Sequence, residues 1–257
     1  MPLAGPTLLA SLAVVFLAGI VRGFAGFGFS ALCVAGLSLL LPPAQVVPPL
    51  FVLEVLASLT LLRDAWKDAD WPWLGWLVLG NALCIPLGVA MLVVVPEIPL
   101  RLLIGALLLL AAVLLRSGWS LGLQPTPALR FGTGLVSGWV NGVAAIGGIA
   151  VAVLLSATAL APAALRATMI LMFLFTDLYA LFWAWLLPAG EGGALLGART
   201  LHYVMWLAPA MLAGIWVGQR AFIGVSPQTF RRRILELLML VAGLGVLRAA
   251  WALWTSG

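Results

Sequence analysis

Arg22 stands in the apolar run GIVRGFAGFGF at residues 19–29, with no other charge near it. A guanidinium held in hydrocarbon costs at least about 2.5 kcal/mol on insertion scales, so such a side chain faces a cavity or a partner. Its planar fork suits the paired oxygens of an oxyanion, which it can hold with two parallel charge-assisted bonds. The plainer alternatives are a packing ion pair or snorkelling to the interface. Gly23, Gly26 and Gly28 surround it, and Gly142, Gly147 and Gly148 fall in a second such run, GLVSGWVNGVAAIGG at 134–148. Backbone without side chains lets amide N–H groups approach an anion closely. Helices opening at about residues 27 and 145 would add the attraction of their dipoles. Ser30, Ser137 and Asn141 supply neutral donors, and Phe27 lies in the first break. The candidate anion site is therefore Arg22, Gly23, Gly26, Phe27, Gly28, Ser30, Asn141, Gly142, Gly147 and Gly148. Against it stands close helix packing, for which the spacings Gly19/Gly23, Gly134/Gly138 and Gly138/Gly142 are equally suited.

Glu54 and Asp177 are the carboxylates deepest in apolar sequence. Burial raises a carboxyl pKa toward physiological pH, which makes both candidates for proton coupling. Glu54 is equally suited to neutralising Arg22, and Asp177 to a structural role. Neither a metal site nor a Ser–His pair can be assembled: HExxH and GxSxG are absent and the one histidine, His202, sits at a segment boundary. No GxxxxGK[ST] loop is present for ATP. No cofactor is expected.

The elements that position these residues follow from composition. A chain of 257 residues that is 64% hydrophobic and 8% charged, with mean hydropathy +1.20 and 12 Trp, is predicted to be an all-α polytopic membrane protein in one domain, 1–257. Its net charge of +5 is spread over short loops, which excludes an extended nucleic-acid surface, and Cys33 and Cys84 lie in apolar segments, giving no disulfide framework. The opening 20 residues lack the basic start of a signal peptide and are expected to remain. The lipid bilayer is the expected surrounding, and the oligomeric state is not indicated.

Hydropathy and Pro/Gly punctuation predict segments at 7–22 and 27–41 around the first break, then 46–62, 73–95 and 100–116. The second set is 131–141 and 145–160, then 166–187, 201–219 and 234–254. Pro42, Pro43, Pro48 and Pro49 are read together as one turn. Each half is a broken-helix hairpin followed by three spans, repeat 1 at about 1–120 and repeat 2 at about 129–257. Arg101, Arg116 and Trp119 recur 132 positions on as Arg233, Arg248 and Trp251. Lys and Arg in the loops divide nine to two if the amino terminus lies outside, and that partition makes the halves opposite in direction, an inverted repeat. Broken, inverted halves are a signature of secondary transporters with a midplane site. Glu236 lies four residues after Arg232 and is expected to pair with it, Arg248 to snorkel, and the Trp-rich stretches 66–76, 183–185 and 251–254 to anchor span ends at the interface.

Three stretches carry a family resemblance: GIVRGFAGFGFSAL near the start, GLVSGWVNGVAAIGG followed by the Ala/Pro turn and ATMI at 167–170, and PAMLAGIWVGQRAFIGVSPQTFRRRILELLMLVAGL at 209–244. In these the chain resembles the sulfite exporter TauE/SafE family, also called toluene sulfonate uptake permeases. Phe24, Phe27 and Phe29, and Ala144 with Ala145, depart from that family's usual glycine-rich strings. The resemblance implies transport of a small anionic sulfur compound (sulfite, thiosulfate or an organosulfonate) across the bacterial inner membrane. An anion channel for the same substrates is the alternative, and an intramembrane enzyme a more distant one.

Overall fold

The computed structural model describes residues 5–117, 126–155, 161–187, 195–220 and 227–256. Among them are ten helices and no strand: α1 Pro6–Ala25, α2 Phe29–Leu37, α3 Pro43–Asp68, α4 Trp71–Val94, α5 Glu97–Ser117, α6 Pro127–Ala144, α7 Gly147–Leu155, α8 Pro162–Leu186, α9 Ala198–Arg220 and α10 Pro227–Ser256. Seven of these, α1, α3, α4, α5, α8, α9 and α10, are long and apolar enough to cross a membrane. The chain is a multi-pass membrane protein.

Both predicted breaks are present, and each is built the same way. A helix closes with a residue in the left-handed conformation, and the next helix begins two or three residues later. At the first, the N–H of Gly26 (φ 79°) donates to Arg22 O at 2.8 Å, and Gly28 (φ 91°) precedes α2. At the second, the N–H of Ala145 (φ 56°) donates to Asn141 O at 2.6 Å. Ala145 is the one non-glycine with positive φ among the described residues. Its β-carbon makes that conformation cost about 1–2 kcal/mol more than it costs glycine, a strain concentrated where the backbone opens.

The proline-marked turn is shorter than expected. The helix starts at Pro43 with Pro42 as its cap, and Pro48 and Pro49 lie inside α3. Each deprives the ladder of one N–H donor, a loss confined here to the second turn. The first short arm is shorter than the segment 27–41, because the backbone turns at residues 38–41; of the segment 145–160, residues 156–160 lie outside the described residues.

Four helix pairs make the most extensive contacts: α1 with α9, α4 with α6, α3 with α8 and α5 with α10. Two of them are glycine seams. A β-carbon at Gly19 or Gly23 would run into the backbone of Met211 or Ile215, and one at Gly214 or Gly218 into that of Phe16 or Ile20. Likewise Gly80 and Gly88 of α4 face the carbonyls of Phe131 and Trp139, while Gly134, Gly138 and Gly142 of α6 face those of Leu77, Asn81 and Ile85. In a bilayer, where lipid is as apolar as leucine, such backbone approach is a main source of helix association. Glu236 does pair with Arg232 at 3.1 Å, and it also lies 3.5 Å from Arg233 and 3.6 Å from Arg116 of α5. Trp66, Trp71, Trp185, Trp251 and Trp254 are exposed near helix ends.

Candidate functional site

α3 and α8 carry the carboxylates, and the two breaks lie against them. Glu54 follows eleven residues into α3 and is fully buried, as are Arg22 and Asp177. Nη2 of Arg22 lies 3.1 Å from Glu54 Oε2 and donates to Ser58 Oγ at 2.8 Å; Nη1 donates to Gly26 O at 2.7 Å. The guanidinium thus meets its counter-ion and ties down the left-handed residue that ends its own helix. On its far face the Phe173 ring of α8 lies 4.4 Å from the guanidinium carbon. The other oxygen of Glu54 accepts from Ser30 Oγ at 2.7 Å and from Ser30 N at 3.2 Å, so the first turn of α2 is pinned to α3.

The second break repeats this with a neutral carboxamide, Asn141, in the place of the guanidinium. Nδ2 of Asn141 donates to Asp177 Oδ1 at 2.7 Å, and its carboxamide oxygen accepts from Gly147 N at 3.2 Å, the opening amide of α7. Ser137 Oγ lies 3.0 Å from Gly147 O and 3.1 Å from Asn81 Oδ1 of α4. Between the breaks is a cavity of about 10 Å³, lined by Gly28, Ser30 and Glu54 on one side and Ala145, Gly148 and Phe173 on the other. That holds about one water molecule. Nε of Arg22 and Oδ2 of Asp177 are buried without a hydrogen-bond partner among the described residues.

Of the residues singled out from sequence, Arg22, Gly26, Gly28, Ser30, Glu54, Asn141, Gly147, Gly148 and Asp177 fall in this cluster or line its cavity. Gly23 and Gly142 are turned away from it, into the seams with α9 and α4. Phe27 is partly buried against the apolar core. Ser58, Asn81, Phe173 and Arg166 were not singled out. Ser58 lies four residues after Glu54, and Phe173 four before Asp177, so the helical i, i+4 rule applied to each carboxylate finds both. From sequence, Arg166 falls among the loop cations that mark orientation. It belongs to the start of α8, donates to Gly23 O at 2.9 Å and packs its stem where a β-carbon on Gly26 would have to go.

Arg22, Glu54 and Asp177 lie buried at the two breaks, Arg166 reaches Gly23 beside them, and a small cavity lined in part by Ser30 and Glu54 lies between the breaks. The cluster contains groups for binding an anion and for accepting a proton. No curated protein and no solved structure matches the chain. Residues 11–246, nearly the whole length, match the family described as Sulfite exporter TauE/SafE, and the chain belongs to this family of membrane transporters for sulfur-containing anions.

Proposed function

We propose that the protein is a secondary transporter that carries sulfite, thiosulfate or an organosulfonate across a bacterial inner membrane by alternating access, with Arg22 holding the anionic group. The observation that carries this reading is the buried Arg22–Glu54 pair at the meeting point of the two breaks. In the buried pair the cation is already neutralised by Glu54, and an incoming oxyanion competes with that carboxylate for the guanidinium fork. Once displaced, a buried carboxylate without its cation is costly and is relieved by taking up a proton. Anion and proton then occupy the site together, which couples substrate flux to the proton gradient. Nε of Arg22 and Oδ2 of Asp177 have capacity left for the ligand or for the proton.

Glu54→Gln tests the coupling. Purified and reconstituted, the variant should still be stabilised by sulfite or an organosulfonate in a thermal-shift assay, since a ligand of the native state raises apparent stability. Its accumulation driven by a pH gradient should be lost. Normal stability together with normal gradient-driven transport would reject a role for Glu54.

We further propose that the halves are inverted repeats. Exchange of the halves turns the α1–α9 seam into the α6–α4 seam and maps α3–α8 and α5–α10 onto themselves, the four dominant pairings. Arg22 stands to Ser58 as Asn141 stands to Asp177, both hydrogen-bonded pairs 36 positions apart. With both termini outside, single cysteines placed at Gly5 and at Thr255, in a background freed of Cys33 and Cys84, should both react with an impermeant maleimide added to the outer face. Labelling at one end alone would overturn the arrangement.

A further inference from the structure

We propose that a crevice between α2, α5 and α10 is a binding site for an anionic phospholipid, separate from the transport cavity. Two guanidinium groups converge on the carbonyls that end α2: Arg101 of α5 donates to Ser38 O, and Arg248 of α10 to Leu39 O at 2.6 Å. Arg101 is paired with Glu97 at 2.7 Å, while Arg248 has no carboxylate within 4.0 Å among the described residues. The local sum is two cations against one anion. Ser38 Oγ is buried there without a hydrogen-bond partner among the described residues. A surplus positive charge, a second guanidinium and an unused hydroxyl at one end of a pocket are what a phosphodiester requires.

The remainder of the pocket fits an acyl chain better than water. It has a volume of about 200 Å³, and below the arginines its walls are Ile104, Leu108, Val241 and Ala249. Gly245 leaves room on the α10 side of the crevice, since a β-carbon there would make only an ordinary contact, 3.7 Å to Leu39, whereas Gly105 of α5 packs closely against Val246 of α10. On the adjoining face of α10, Leu240, Leu244 and Leu247 are exposed by 62%, 52% and 68%, a surface suited to lipid. A free inorganic anion would satisfy the arginines and leave the apolar walls uncovered. A phosphodiester with attached acyl chains covers both, and it is the ligand to which charge and apolar wall together point.

The test uses the full-length protein in a neutral detergent, titrated with phosphatidylglycerol, with phosphatidylcholine or with inorganic phosphate, and read by the midpoint of thermal unfolding. Phosphatidylglycerol should raise the midpoint by several degrees over an equal amount of phosphatidylcholine. Arg248→Gln and, independently, Gly245→Leu, which fills the crevice, should each remove at least half of that difference, and neither should abolish the stabilisation by sulfite expected of the central site. Equal shifts with the two lipids would overturn the proposal. So would an undiminished phosphatidylglycerol shift in both variants, or a shift of the same size with inorganic phosphate, which would mark a site for a free anion.

Discussion

Replacing Arg22 with alanine should abolish substrate-dependent stabilisation and saturable transport, and should also cost the fold about 3–5 kcal/mol, because Glu54 is left buried without its cation. The two losses can be separated. In the double variant Arg22→Gln, Glu54→Gln both charges are gone, so most of the stability should return while substrate binding does not. Arg22→Lys keeps a positive charge but loses the fork that reaches Glu54, Ser58 and Gly26 together, and should weaken binding by roughly 1.5–3 kcal/mol. Affinity for sulfite that is unchanged in folded Arg22→Ala protein would eliminate Arg22 as the anion-binding group.

The second large effect lies in the glycine seams. Gly88→Leu places a side chain where the backbone of Trp139 and Gly142 already stands, and no flexible atom is there to give way. Overpacking costs 1–3 kcal/mol or more even where neighbours can move, so here about 3 kcal/mol is a lower bound. Gly88→Leu should yield little monodisperse protein, and what remains should melt well below wild type. Gly243→Leu is the matched control: nothing lies within 4 Å of its added β-carbon, and its effect should stay within about 0.5 kcal/mol. A Gly88→Leu protein as stable as the control would mean that α4 and α6 do not approach each other through this residue.

Much of this architecture is legible in the sequence because hydrocarbon enforces it. A charge such as Arg22 and interruptions such as Gly26–Gly28 are permitted only where something compensates them, so their mere presence locates the polar interior. Helix type and number follow from the same constraint. What escapes is pairing across space. Nothing in the spacing of Gly142 separates a seam residue from a ligand-facing one, since both uses demand the same absent side chain; only its position against Gly88 decides. Arg166 looks like a loop cation because helix α8 begins at Pro162, earlier than its hydropathy indicates, and its long side chain reaches Gly23 from there. Pro48 and Pro49 mislead in the opposite sense. Proline reads as a stop, and it is tolerated near a helix start where few ladder bonds depend on it.

The glycine seams join α1 to α9 and α4 to α6, in each case a helix from one half of the chain to a helix from the other. Where two backbones touch, there are no side chains to change rotamer and so no slip plane between them. Each seam therefore moves as one rod. Under the alternating access proposed above, the units that rearrange would be mixed pairs, each carrying one member from each half, with the left-handed residues Gly26 and Ala145 as their hinges. A displacement beginning at one break would then be geared directly into the opposite half, which is the mechanical linkage that the proposed alternation of the two ends requires.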